Sequence, residues 1–364
     1  MNFEDHWPVT EKALAREAAS LGEVLEQLHG RIPPALIGER EWERVLERAG
    51  PLPPAMAAFP FGFELPLHSS LPTADLGVSV VGGGRTAAFF EEAARSEDAD
   101  KAAQGVAWLL AETGPEDSRL RRVAGRKMLL EYDIDAAQGA HPDPGLFLYP
   151  AEGVLLGDRS RDRLGDLQVV VEAIAAATGR DLDDAKREQV EGVYLAMETD
   201  ASIRAVGAFP SRGSGLRLAI TGFRKAAGAV AFLERAAWPG HRGAVADILS
   251  RFERRRAFHH LGIHFDIEGS GVGPTLGLSF YAQEGQWLKD IRHWLPLIDS
   301  IGADGLAVRE KLSALAEDWS ATETLIGNTG SFVHVRGLHH IKLSITGERV
   351  EQVKAYVFML LLGV

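Results

Sequence analysis

Several short apolar stretches of this chain carry an ionisable side chain at every second residue, which places those groups together on one face of an extended strand. In LLEYDID, Glu131 and Asp133 oppose Leu130, Tyr132 and Ile134. In LGIHFDIEG, His264, Asp266 and Glu268 oppose Leu261, Ile263, Phe265 and Ile267. HHIKLSI sets His340, Lys342 and Ser344 against Ile341, Leu343 and Ile345, LRLAIT contributes Arg217, and VKAYVFM contributes Lys354 and Tyr356. Carboxylates on such a face can accept a proton, while ammonium and guanidinium groups can neutralise an anion.

Two spacings suggest more specific chemistry. His264-x-Asp266, with His340 from another strand, has the ligand order of the non-haem iron facial triad. Arg349 lies downstream, where 2-oxoglutarate enzymes place a carboxylate-binding arginine. A non-haem Fe(II) oxygenase is therefore one alternative function, although that family uses a jelly roll, whose strands are not separated by helix pairs. Gly82, Gly84 and Ala87 fit G-x-G-x-x-A between a strand and a helix, but no second strand ending in an acid follows about 20 residues on, as a dinucleotide site requires. A glycine turn closing the first hairpin is the favoured reading. Trp238, Trp287, Trp294 and Trp319 fall in predicted helices or at their ends and read as packing residues.

The elements that must hold these groups repeat along the chain. A two-strand unit begins near Phe61, Lys127, Ser202, His259 and His339, and in each case a second alternating run follows: DLGVSVV, GLFLYP, GLRLAITG, TLGLSFY and VKAYVFM. The repeat is longer than any common solenoid unit, which favours a closed ring over an open stack. Short links such as PSRGSG and EGSGVGP mark hairpins rather than parallel crossovers. Two helices are expected before every strand pair, beginning with Glu11–Leu28 and REWERVLERAG. Hairpins joined by helix pairs predict an antiparallel barrel with helices outside, apolar faces packed on them, and polar faces lining a hollow lumen.

This layout resembles the PT barrel of the ABBA-type aromatic prenyltransferases, built from successive α-β-β-α units around a ten-stranded antiparallel barrel. The resemblance spans nearly the whole chain and includes one local match, Lys354-Ala355-Tyr356, a spacing that family places on its inner wall. It implies an α+β fold in a single domain, with residues 1–60 as an N-terminal helical pair and 61–364 as five strand-pair repeats. It also implies transfer of an allylic prenyl group from a prenyl diphosphate to an aromatic or peptide acceptor inside the lumen. Arg217, Lys342, Lys354, Tyr356, Tyr281 and Tyr149 would then hold the diphosphate, joined by Arg336 if its strand begins early. Glu131 would be the proton acceptor, with Glu64 and Asp133 as the other carboxylate candidates. The chain departs from the family pattern where DLGVSVV, GLFLYP and TLGLSFY carry no Lys or Arg, and where Glu64, Glu131, Asp133, Asp266 and Glu268 face inward. So many carboxylates would repel a diphosphate unless Mg²⁺ bridges them, and no other cofactor is implied. The alternative is a non-prenylating barrel that binds a peptide or small molecule.

Composition narrows the classes further. The chain has 364 residues, 46% of them hydrophobic, no cysteine and a formal net charge of -12. Absence of cysteine excludes disulfides and thiolate chemistry. The acidic balance argues against a nucleic-acid partner, which would need a basic surface. No apolar run is long enough for a membrane span, and the acidic start MNFEDHWPVTEK does not read as a secretory signal, so a cytoplasmic location is expected.

Overall fold

Apolar side chains at alternate positions of every strand pack against helices, and this single demand organises the chain. In the computed structural model, residues 3–97, 99–134, 143–158, 160–269, 271–282 and 290–364 are described. The strands are β1 (Phe61–Pro66), β2 (Asp75–Val81), β3 (Lys127–Tyr132), β4 (Gly145–Leu148), β5 (Ser202–Ala208), β6 (Leu216–Phe223), β7 (His260–Glu268), β8 (Gly271–Val272), β9 (Leu276–Tyr281), β10 (Ala321–Ile326), β11 (Ser331–Thr346) and β12 (Arg349–Gly363). Every pairing is antiparallel. β1 to β7 pair in sequence, β9 joins β7 to β11, and β12 joins β11 to β1. Ten strands thus close a ring; β8 is a short extension on β7, and β10 is a flap on β11.

The expected face assignment holds around the ring. Leu76, Val78, Val80, Met128, Leu130, Leu261, Ile263, Leu343 and Val353 all belong to one apolar cluster shared with the helices. Trp238, Trp294 and Trp319 are buried there as packing residues, and Trp319 Nε1 donates to the Gly337 carbonyl at 2.9 Å. Trp287, together with the expected start of the helix that contains it, lies outside the described residues, as does most of the β3–β4 link.

Four details differ from the sequence expectation. Three helices, not two, precede β1: α1 (Phe3–Glu17), α2 (Leu21–Leu28) and α3 (Glu39–Ala49). Three also separate β2 from β3: α4 (Arg85–Ala93), α5 (Lys101–Thr113) and α6 (Arg119–Ala124). The remaining intervals hold pairs, α7 (Arg161–Ala177) with α8 (Asp184–Ala196), α9 (Ala226–Arg235) with α10 (Arg242–Arg254), and α11 (Leu295–Ala303) with α12 (Arg309–Ala314). The glycine turn Gly82–Gly84 joins β2 to α4 rather than closing a hairpin, and the carboxylate of Glu11 accepts the Arg85 N–H there at 3.1 and 3.3 Å. An internal anion therefore occupies the helix end a dinucleotide phosphate would use.

The last hairpin is longer than expected. β11 begins at Ser331, well before His339, and a bulge between Leu338 and His340 shifts its phase midway. Before the bulge Leu338 faces the helices, and after it Ile341, Leu343 and Ile345 do, so no single alternation spans the strand. Arg336 consequently lies outside the lumen, donating to the Arg31 carbonyl with its guanidinium 5.9 Å from the Trp319 ring.

Candidate functional site

The lumen is built in tiers that follow the strand register, with two residues, or about 7 Å, between successive tiers. In the first, Lys342 on β11 sits opposite Lys354 on β12, with Ser279 and Pro66 to either side. In the second, Tyr356 lies between His340 and Glu64, and Glu64 faces Asp75 on β2. In the third, Phe358, Gly62, Gly77, Glu131 and Gly145 follow one another across five strands. Three glycines in that row leave Glu131 as its single polar side chain.

Contacts within the first two tiers form one cluster. The Lys354 ammonium and the Tyr356 hydroxyl both donate to the Glu64 carboxylate. Lys342 donates to the Tyr356 oxygen and lies 3.7 Å from Glu64. Burial favours the neutral form of Glu64, but Lys354 and Lys342 outweigh it and hold this carboxyl well below the usual range. Burial lowers Lys342 to about 8, against the pull of Glu64. The Tyr356 phenol is pushed up by burial and by Glu64.

Beside the ammonium groups runs a continuous π surface. His340 stacks on Tyr356 with ring centroids 4.1 Å apart, Tyr281 lies 5.4 Å from His340, and His260 stacks on Tyr281 at 4.6 Å. His264 lies 6.3 Å from His340 and its Nε2 is 3.0 Å from the Ser279 hydroxyl. Burial, and then neighbouring histidines and Lys342, press His340 well below its ordinary value; for His264 the cause after burial is Lys342. His339 is lowered to about 4 by burial and Lys127. His264, His339 and His340 are therefore neutral at physiological pH.

Carboxylates deeper in the ring are mostly spoken for. Arg217 grips Asp266 through two hydrogen bonds of 2.9 Å, and Arg212 grips Asp133, its Nε at 2.8 Å. The Phe209 ring lies between these guanidiniums, 4.0 Å from Arg212 and 4.9 Å from Arg217, with Phe147 at its edge. Glu131 has no hydrogen-bonded partner among the described residues, and burial followed by Glu64 raises it. Asp75, accepting the Ile134 N–H at 2.9 Å, is pushed up to about 7 by burial and Glu64.

The structure thus assembles Lys342, Lys354, Tyr356, Tyr281, Glu64 and Glu131 at the lumen wall, and it commits Arg217 and Asp133 to ion pairs. Tyr149 follows the last residue of β4, is 38% exposed, and takes no part in the hydrogen-bonded cluster. The iron reading fails on geometry: Asp266 is consumed by Arg217, His264 by Ser279, and Arg349 is exposed at the start of β12. Among the described residues no three His, Asp or Glu side chains converge as metal ligands. Ser79, Ser279, Glu64, His340 and Lys342 are buried on the lumen wall, whereas Glu131, His264, Tyr281, Lys354 and Tyr356 are half-buried. Sequence reading missed Asp75, Arg212, Ser279 and the glycine row. Of these, the glycines at alternate strand positions were a signal: Gly62 and Gly77 stand on the same faces as Glu64 and Asp75.

No family model matches the chain, and no curated protein matches it significantly. Among solved structures it is similar to the prenyltransferase PriB, at 14% identity and a TM-score of 0.49 over 93% of this chain and 96% of that one. It is similar also to 5-dimethylallyltryptophan synthase from Streptomyces coelicolor (11% identity, TM-score 0.48, 94% and 98% covered) and to 6-dimethylallyltryptophan synthase from Micromonospora olivasterospora (14%, 0.48, 95% and 98%). The architecture rests on the strand ladder itself, ten antiparallel strands closed on themselves with helices outside. The fold is a PT barrel. Within this PT barrel no described helix is long and apolar enough to cross a membrane.

Proposed function

We propose that this PT barrel transfers an allylic prenyl group from a diphosphate to an aromatic or peptide acceptor held in the lumen. The observation that carries the reading is the order of the tiers: ammonium groups, then a neutral π surface, then a recess with one unpartnered carboxyl. Lys342 and Lys354 stabilise the leaving diphosphate as the carbon–oxygen bond breaks and its electron pair passes to oxygen. Tyr356, His340 and Tyr281 offer π faces to the allylic cation, and the uncharged His340 imidazole adds no repulsion. The acceptor atom bonds to the allylic carbon from the glycine recess and gives its proton to Glu131.

One observation favours the second reading, a barrel that holds a peptide or small molecule unchanged: Lys354, Arg212 and Arg217 are already paired within the chain. A thermal-shift measurement separates the two. Prenyl transfer requires that pyrophosphate or a thio-diphosphate analogue raise the melting temperature and that Lys354→Ala abolish the rise. Absence of any shift at millimolar diphosphate refutes it.

A further inference from the structure

The groups best placed to receive a diphosphate already hold an anion. Glu64 accepts from Lys354 and Tyr356 and lies 3.7 Å from Lys342, so one carboxylate uses all three donors of the upper lumen. The donors come from β11 and β12 and the carboxylate from β1, which are adjacent strands in the ring. The other groups facing Glu64 are Asp75 from β2 and Glu131 from β3, both acids, and at longer range Arg212, which Asp133 already holds. We propose that Glu64 is an internal stand-in for the donor diphosphate, which must displace it in order to bind. This deepens the prenyl-transfer reading and rests on it.

Two consequences follow from the charges. A diphosphate that enters meets a carboxylate seated on its own ligands, so affinity in the native chain is set by the difference between the two anions rather than by the cations alone. Once displaced, Glu64 stands unpaired beside Asp75 and Glu131, at the edge of the acceptor recess. Donor binding thereby leaves a free carboxylate next to the acceptor.

Titration of pyrophosphate by calorimetry into the native chain, Glu64→Gln and Glu131→Gln tests this. Glu64→Gln should bind at least tenfold more tightly than the native chain, and Glu131→Gln, which removes a second lumen carboxyl that touches no donor, should change affinity less than threefold. If Glu64→Gln does not fold, Glu64→Asp, whose shorter side chain weakens the hold on Lys354, should tighten binding severalfold. Native and Glu64-variant chains binding equally, or Glu131→Gln matching Glu64→Gln, would overturn the stand-in role while leaving prenyl transfer intact. No binding by any chain refutes the donor reading and this proposal with it.

Discussion

Replacing Asp75 by Asn should stabilise this protein, and by an amount that depends on pH in a defined way. The carboxyl is raised from 3.8 to about 7, chiefly by burial and secondly by Glu64. At about 1.4 kcal/mol per pH unit, its ionised form costs the folded chain about 4 kcal/mol, an upper figure because the lumen can relax. The sign follows from the folded chain holding the proton more tightly than the unfolded one. The deficit is complete above pH 7, shrinks as pH falls, and vanishes below 3.8. Asn is neutral throughout and keeps an oxygen for the Ile134 N–H, which Asp75 accepts at 2.9 Å. Urea unfolding should give Asp75→Asn an advantage of about 4 kcal/mol at pH 8 and none near pH 4. In melting temperature the pH 8 gain is about 5 °C for a chain of this length. A variant that is destabilised at pH 8, or equally stabilised at both pH values, would refute the assignment of a buried, cation-poor carboxyl to this position.

The histidines act in the opposite sense. His339 and His334 are each lowered to about 4, so each contributes about 3 kcal/mol that is present above pH 6.5 and lost as pH falls towards 4, together outweighing the Asp75 recovery. Denaturant midpoints should therefore fall between pH 7 and pH 4.5, and a rise would contradict the burial of these two imidazoles in their neutral form. Arg212→Met leaves Asp133 buried without its cation and should cost about 3 kcal/mol by urea unfolding, most of it recovered in the double variant with Asp133→Asn. At Gly207 an added Cβ would run into the Phe147 ring, so Gly207→Ala should cost about 1–3 kcal/mol, and adding Phe147→Leu should relieve it.

How much of this was legible beforehand depended on range. The strand pairs were legible because alternation is a local pattern, and Leu130, Tyr132 and Ile134 or Leu261, Ile263 and Phe265 declare their face within one strand. Inward placement of Glu131, Lys342, Lys354 and Tyr356 followed directly. The start of β11 was not legible, because a bulge reverses the alternation mid-strand and a window centred on either half sees only one phase. Pairing was the other blind spot. Arg217 and Asp133 read as available lumen charges, whereas Asp266 and Arg212, brought up from elsewhere in the chain, neutralise them. Asp75 was passed over because an acid at a strand start looks like a turn residue. Its burial and its proximity to Glu64 arise only when β1 and β2 stand side by side.

The seam between β1 and β12 decides when the candidate site can form. Glu64 and Lys354 are 290 residues apart in sequence, yet they meet across a single pair of neighbouring strands. During synthesis, most of the ring can line up hairpin by hairpin, but its first strand waits for its last. Until β12 arrives, β1 has an open edge towards solvent, and Lys342 lacks the Tyr356 and Glu64 that surround it. Such a nascent chain has neither a closed chamber nor a place for an anion. Closure of the seam is thus both the step that removes an aggregation-prone edge and the step that creates the candidate site, and long-range pairing of this kind is slow. A chain stopped just before Lys354 would keep most of its helices and strands and lack the candidate site.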